Sequence, residues 1–379
     1  MATLPEALPA YAELHCVSNF SFLRGASHPE ELVARAAALG YAALALTDEC
    51  SLAGIVRAHV AAKEVKLKLI VGSELRFDDG LKLVLLAPDR AAYGALCALI
   101  TAGRRRAKKG TYALSRHDVE LHLQEGLLAL CVPGEKPSLE HAAWVRERFP
   151  GRSWLAAELH HGPNDFQQLK RLEDIARQSG LPLAAAGDVH MHLRSRRRLQ
   201  DALTAIRLRK PVAGCGSALY PNGERHLRLR GRLARLYPYE LIKETIKIAD
   251  RCGNFLDELR YEYPEELVPP GETPTSHLRG LAFEGAQERF PQGVPCAVTG
   301  MLEHELALIA ELGYEAFFLT VHDTVRFARS RVPVSERLSA SVRLSWVSPP
   351  LSTYAFDVSH RGDVVASGTL SAWLTPTAA

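Results

Sequence analysis

The sequence predicts an α/β fold, a β/α barrel followed by a mainly helical region. Three observations carry this reading. Short apolar runs alternate with helical patterns through the first two hundred residues. The runs repeatedly end in His, Asp or Glu. From about Arg196 the runs become scarce and helical spacing takes over. Strand alternating with helix is the pattern of a parallel sheet, and in a parallel barrel all strand C-termini open onto one face.

The first run, Glu13-Leu14-His15, leads into Ser18-Asn19-Phe20-Ser21. Ser27 and Glu30 then form a capping-box signature, and Leu32, Val33, Ala36 and Leu39 keep helical spacing up to Gly40. A strand over 42–46 runs into Thr47-Asp48. Ser51 begins a helix with Ile55, Val56, His59 and Val60 on one side. A strand over 69–71 runs into Gly72-Ser73-Glu74, and another spans 81–87. Helices follow over 91–102, 139–148 and 166–179, with strands over 127–132 and 154–159 around the second. The strand over 183–186 runs into Gly187-Asp188-Val189-His190. No strand is followed by Gly-x-Gly-x-x-Gly, which argues against a dinucleotide fold. Beyond Arg196, residues 199–208, 227–235, 238–252, 276–289 and 301–312 read as helices. Residues 261–275 are Pro-rich and extended. Past Arg331 the chain turns rich in Ser, Val and Thr, with strand character over 354–359 and 363–374 and a hairpin turn at His360-Arg361-Gly362-Asp363.

Barrel geometry would gather His15, Asp48, Glu74, Asp188 and His190 at one mouth. Imidazoles and carboxylates together suit a divalent metal such as Zn²⁺ or Mn²⁺. Asp188 and His190 are the most specific pair, because residues two apart in a strand point to the same side. Asp48 equally suits a helix-capping role beside Ser51, and a lone His15 suits a hydrogen-bonded histidine at a strand end.

Composition narrows the class. The 379 residues carry a net charge of only +3, which does not indicate a strongly basic nucleic-acid-binding protein. Two local basic runs, Arg104-Arg105-Arg106-Ala107-Lys108-Lys109 and Arg194-Ser195-Arg196-Arg197-Arg198, suit phosphates or a solvated face. No apolar stretch is long enough for a bilayer, the N-terminus does not read as a secretory signal, and the seven cysteines form no Cys-x-x-Cys pair. The expected compartment is cytoplasmic.

Several stretches resemble the bacterial error-prone DNA polymerases of the replicative alpha-subunit class. They include the segment from Tyr11 to Pro29, Ala45-Leu46-Thr47-Asp48-Glu49-Cys50, Leu69-Ile70-Val71-Gly72-Ser73-Glu74 and Ala186-Gly187-Asp188-Val189-His190-Met191-His192. The segments from Asp257 to Pro274 and from Glu303 to Asp323 follow in the same order. The resemblance is collinear from about residue 10 to 330. It implies a polymerase-and-histidinol-phosphatase (PHP) domain, a distorted β/α barrel, over 1–200, the start of the polymerase thumb and palm over 201–330, and an unrelated or frameshifted β-prone tail over 331–379. It further implies DNA-directed DNA synthesis across lesions, with DNA and deoxynucleoside triphosphates as substrates and Mg²⁺ for the polymerase. A sliding clamp and accessory lesion-bypass proteins are the implied partners, and no membrane.

Departures from the family pattern limit these implications. Where active PHP domains carry His-x-His, the chain reads His15-Cys16-Val17; where they carry Thr-Asp-His, it reads Thr47-Asp48-Glu49. Lys82 stands in place of a histidine near the start of its strand. Val17 cannot ligate, and a lysine opposes a cation, so little tightly held metal is expected. Glu49 and Lys82 are expected to pair in its stead. The Gly-Arg-Gly-Ser nucleotide-binding motif and the palm aspartates are not found, so the sequence as given is not expected to polymerise DNA by itself. The tail faintly resembles the last hairpin of hot-dog-fold dehydratases, and both a fusion and a frameshift account for it. The competing functions are a metal-dependent PHP phosphoesterase and a non-catalytic module that docks a polymerase or DNA.

Overall fold

The computed structural model describes residues 8–122, 126–134, 137–259, 268–329, 338–348, 351–360 and 363–373, with side chains as far as residue 326. The chain divides into two compact units, Met1–Leu259 and Arg260–Ala379.

Seven strands build the first unit: β1 (Ala12–Glu13), β2 (Ala43–Leu46), β3 (Lys68–Arg76), β4 (Lys82–Ala87), β5 (Leu128–Cys131), β6 (Ser153–Glu158) and β7 (Leu183–Ala186). Their order in the sheet is their order in sequence. The helices are α1 (Pro29–Ala38), α2 (Ile55–Val65), α3 (Arg90–Arg106), α4 (Arg116–His122), α5 (Leu139–Arg148), α6 (Asp165–Ser179), α7 (Arg197–Leu208), α8 (Arg230–Leu236) and α9 (Tyr239–Asp250). The two sheet edges meet just beyond β1 and β7. There the Val189 N–H donates to the His15 carbonyl and the Val17 N–H to the Val189 carbonyl, both at 2.9 Å. This seam nearly closes the sheet into a barrel.

The sheet is not wholly parallel. β4 runs antiparallel to both β3 and β5. Only residues 77–81 separate β3 from β4, too few for the crossover a parallel neighbour needs, so the two form a hairpin. The reversal brings the beginning of β4, Lys82, to the mouth where the other strands end.

Apolar residues form two layers. Leu14, Ile70, Val84, Leu86, Leu130, Trp154 and the small Ala156, Ala184 and Ala186 fill the barrel interior. Ile248, Ala249 and Cys252 complete that interior cluster, so α9 acts as a stopper at its floor. Two polar contacts fix the stopper: the Ala12 N–H donates to Thr245 Oγ1 at 3.1 Å, and Trp154 Nε1 donates to Glu244 Oε1 at 2.9 Å. Burying each large apolar side chain contributes about 1.5–3 kcal/mol. Residues 201–259, grouped by sequence with the later helices, therefore lie in the same compact unit as the barrel. The outer layer, including Leu32, Val33, Leu44, Leu46, Leu85, Leu96 and Leu172, packs sheet against helices.

Two helices lie outside the sequence reading. α4 is short and is held by Asp118, which accepts from Ser115 N at 2.7 Å and receives a two-pronged Arg106 contact at 2.7 and 2.6 Å. The other, α12 (Glu315–Arg329), belongs to the second unit with α10 (Pro274–Arg289) and α11 (Cys296–Leu312). Leu278, Leu306 and Leu319 form the buried cluster of these three helices. The same unit holds an antiparallel sheet of β8 (Leu338–Ser348), β9 (Leu351–His360) and β10 (Asp363–Trp373). The expected hairpin is β9–β10, with His360 opposite Asp363; Arg361 and Gly362 lie outside the described residues. So do residues 261–267 of the Pro-rich stretch and the expected boundary at Arg331.

Candidate functional site at the barrel mouth

The barrel interior is apolar below and ionic above, and the change occurs at one level. Trp154 and Ala156 point inward, and the next inward position on β6 is Glu158. Ile70 points inward, and Glu74 lies two pleats further along β3. Beyond Ala184 and Ala186 the same parity reaches Asp188. On the reversed β4, Val84 and Leu86 precede Lys82 on the way up. Period-two alternation thus delivers three carboxylates and a lysine to one place.

His15 sits at their centre, fully buried. Its Nδ1 lies 2.6 Å from Glu158 Oε1 and 3.7 Å from Asp188 Oδ1; its Nε2 lies 2.9 Å from Glu74 Oε2. Carboxylates only accept, so both short contacts are hydrogen bonds when both ring nitrogens carry hydrogen.

Glu74 is the hub of an ionic network. Arg24 Nη1 and Nη2 donate to its two oxygens at 2.7 and 3.1 Å, Arg76 Nε donates at 3.1 Å, and Lys82 Nζ lies 3.1 Å away. Burial pushes the Glu74 carboxyl up, but the Arg24 and Lys82 charges and the His15 hydrogen bond outweigh it and hold the group well below its ordinary value. For Glu158, burial is again opposed by the His15 and Lys82 charges, which bring it down to about 2.

The expected Glu49–Lys82 pair is not the arrangement found. Lys82 goes to Glu74, while Glu49 pairs with Arg24 and Arg76 and accepts from Tyr112 Oη at 2.9 Å. Arg24 bridges Glu49 and Glu74, so the cations serving Glu49 come from the 18–28 loop and the end of β3 instead of β4.

Asp48 stands apart from this network. It accepts from Ser18 N (2.8 Å), Ser18 Oγ (2.7 Å) and Ser21 Oγ (2.7 Å), so it anchors the loop after β1. Burial raises its carboxyl, and these hydrogen bonds offset the rise only in part. It caps no helix: α2 starts only at Ile55.

Asp188 joins the two halves of the site. It faces His15 on one side and His190 Nε2, at 3.1 Å, on the other, and it pairs with Arg225. His190 Nδ1 lies 2.8 Å from Gln200 Nε2, an amide donor, which leaves the ring hydrogen on Nε2 for Asp188. Burial lowers the His190 pKa well below its ordinary value. Asp188 adopts a left-handed φ of 42°, a costly backbone state for a non-glycine residue. The preceding Gly187 gives its N–H to Glu13 Oε1 at 2.8 Å, and a Cβ there would stand 2.3 Å from Glu13 Oε2.

The structure therefore brings His15, Glu74, Asp188 and His190 into one connected group and turns Asp48 outward from it. Sequence reading passed over Glu158, Arg24 and Arg225. Glu158 carried the same signal as the others, an apolar run ending in an acid. Arg24 and Arg225 lie in loops, where no periodicity marks direction.

Ligand atoms of His15, Glu158 and Asp188 all lie within 4.8 Å of one another, so by spacing the three could hold a metal ion. Their chemistry is less suited. Both His15 nitrogens already face carboxylates, Asp188 is paired with Arg225, and Lys82 stands 3.1 Å from Glu74. Val17 is buried and helps close the barrel seam. A divalent ion would enter a site whose negative charge is already balanced, and the residues as arranged do not fit one.

Comparison with known proteins agrees with this architecture. Residues 13–156 match the PHP domain family, and residues 276–344 match the bacterial DNA polymerase III alpha NTPase domain. The second match continues past Arg331 to residue 344. The chain is 61% identical over 329 residues to the error-prone DNA polymerase of Dechloromonas aromatica, covering 86% of this chain and 32% of that protein. It is 57% identical over 331 residues to the enzyme of that name from Methylococcus capsulatus, covering 87% and 31%. For Pseudomonas aeruginosa the values are 56% over 331 residues, 87% and 32%. The chain thus spans about a third of the length of these curated relatives. With a PHP domain and a polymerase segment matched in that order, and identity of this level along most of its length, the chain belongs to the bacterial error-prone DNA polymerase family.

Proposed function

We propose that this chain is the barrel-bearing part of a DNA-directed DNA polymerase that copies damaged templates, and that its barrel mouth is a structural charge network and not a hydrolytic centre. The observation that carries the first half is the 61% identity over 329 residues to an error-prone DNA polymerase. On this reading residues 201–330 begin the polymerase region. DNA and deoxynucleoside triphosphates are the substrates of the whole protein, and Mg²⁺ serves its catalytic carboxylates. A sliding clamp and lesion-bypass proteins are its partners, in the cytoplasm. Among the described residues no helix is long and apolar enough to cross a membrane.

The second half rests on Arg24, Lys82 and Arg225 facing the carboxylates that a phosphoesterase would need for metal. A Zn²⁺ or Mn²⁺ ion on His15, Glu158 and Asp188 would have to displace the Glu158 contact of His15 and the Arg225 pair of Asp188. Two experiments test the proposal. Residues 10–330 are grafted in place of the matching region of the D. aromatica polymerase, and primer extension past a template lesion is measured. Retained synthesis supports the reading; a folded but inactive chimera opposes it. The 379-residue chain is assayed for phosphate release from p-nitrophenyl phosphate with added Mn²⁺. No release is expected, and metal-dependent turnover would favour the phosphoesterase.

A further inference from the structure

We propose that Arg228 and Glu13 hold one internal water between them, and that this water-bridged ion pair fastens the segment after the barrel mouth across the β1–β7 seam. The inference rests on side-chain geometry and is independent of the polymerase reading.

Residues 225–237 run from the mouth to the start of α9. At the mouth the His190 N–H donates to the Arg225 carbonyl at 2.9 Å, and the Leu227 N–H to the Met191 carbonyl at 3.3 Å. The next residue, Arg228, is only 2% exposed. Its carbonyl accepts from Tyr41 Oη at 2.6 Å, and its Nη1 donates to the Leu159 carbonyl at 2.8 Å. Its Nη2 is buried without a hydrogen-bond partner. Tyr237 fixes the far end of the segment. Its hydroxyl donates to the Ala186 carbonyl at 2.9 Å and accepts from the Leu159 N–H at 3.0 Å.

Glu13, on β1, is the buried anion of this region. Its Oε1 accepts from the N–H groups of Leu14 and His15, both at 3.1 Å, and of Gly187 at 2.8 Å. Its Oε2 accepts from Tyr11 Oη at 2.9 Å and keeps one acceptor place free. Among the described residues Arg228 and Glu13 form no direct ion pair. Their charges still act on each other. Burial raises the Glu13 carboxyl, and Arg228 is among the groups that pull it back. Burial works against the Arg228 charge too, but Tyr237, Tyr11 and Glu13 outweigh it.

Neither ion is free to close the gap. Arg228 is pinned at its carbonyl and at Nη1, and Glu13 is pinned by three amides beside Gly187, where a Cβ would stand 2.3 Å from Oε2. A buried guanidinium N–H left unpaired is costly, so a bridge is favoured. The bridging species must accept from a guanidinium and donate to a carboxylate. Water does both, whereas a halide only accepts and a metal cation is repelled by Arg228. The bridge joins β1 and the residues after β7 to the segment that leads into the α9 stopper.

The first measurement is a high-resolution crystal structure of the full 379-residue chain. The expected result is a water at hydrogen-bonding distance from both Arg228 Nη2 and Glu13 Oε2. A direct Arg228–Glu13 contact, or Nη2 bonded to protein with no water, would overturn the proposal. The second measurement is amide hydrogen exchange in the full chain and in Arg228→Met and Glu13→Gln. Each variant should speed exchange over residues 226–237 and at Val17 and Val189 by about tenfold or more, and leave α3 unchanged. The two changes together should do no more than the larger does alone, because both empty one bridge. Folded variants with exchange like the parent's, or with strictly additive increases, would show that Tyr41 and Tyr237 hold the segment without the bridge. If Arg228→Met does not fold, Glu13→Gln carries the exchange test, and the parent's crystal structure decides the water in either case.

Discussion

Two carboxylates on adjacent sides of the barrel mouth have opposite surroundings. Asp48 follows β2 and is held by one backbone amide and two serine hydroxyls. Glu74, on the neighbouring β3, is held by two arginines, a lysine and a histidine. Both are buried, yet burial wins for Asp48, whose pKa rises, and loses for Glu74, whose pKa falls. Neutral donors stabilise a buried anion modestly; formal cations within about 3 Å stabilise it strongly and become dependent on it in turn. The Asp48 side is therefore a fastening for a loop, and the Glu74 side is an ionic core.

The largest expected effect follows from that difference. Glu74→Gln keeps the shape but strips the charge that Arg24 and Lys82 face, and breaking a buried pair from one side costs about 3–5 kcal/mol. Asp48→Asn leaves only hydroxyls and an amide to satisfy, and the hydroxyls can rotate to accept from the new amide. Its cost should stay within about 1 kcal/mol. Denaturant unfolding of the two variants reads the contrast, and equal losses would dissolve it.

Gly25→Ala should come next. Its new methyl meets the Ser18 carbonyl, so the loop must move, and with it both the Asp48 fastening and Arg24. Overpacking of this kind costs about 1–3 kcal/mol. The variant should also loosen the Arg24 contact with Glu74, measurable as a smaller cost of Glu74→Gln in the Gly25→Ala background. A stability loss with the Glu74→Gln cost unchanged would show that Arg24 reaches Glu74 without help from the loop.

The strand-then-ligand pattern was legible because a strand's alternation fixes direction. His15, Glu74 and Asp188 could be gathered from it, and Glu158 obeyed the same rule. What alternation could not convey was which partner each acid would find. Asp48 and Glu74 look alike in sequence, and they diverge because Ser18, Ser21 and Arg24 arrive from a loop whose course depends on Leu23 and Gly25. The reversal of β4 was available in principle, since five residues cannot hold a crossover helix, and it explains why Lys82 reaches the mouth at all. The placement of α9 was harder. Its apolar face was plain, but nothing local says that such a face fills a barrel floor.

Ser21→Ala probes the fastening itself. The hydroxyl donates to Asp48 Oδ1 and accepts from Glu49 N–H at 2.9 Å, so its loss leaves one buried and one half-buried partner short. A cost of about 1–3 kcal/mol is expected. Pairing it with Asp48→Asn should give less than the sum, because both act on one contact. A strictly additive pair would show that Ser21 works mainly through Glu49.

Lys82→Met should be the mildest of these in stability and the sharpest in meaning. The lysine is partly accessible, with 18% of its side chain exposed, so water shares in screening its charge. Arg24 and Arg76 remain on Glu74 when it is gone. A loss of about 1 kcal/mol or less is therefore expected in denaturant unfolding. If Glu74 behaves as a hub, the loss from Lys82→Met should shrink further in a Glu74→Gln background, since both changes empty the same contact. If the loss is unchanged there, Lys82 acts on Glu158, whose carboxyl it also holds down, and the ionic core is centred on β6, three strands further round the barrel than Glu74.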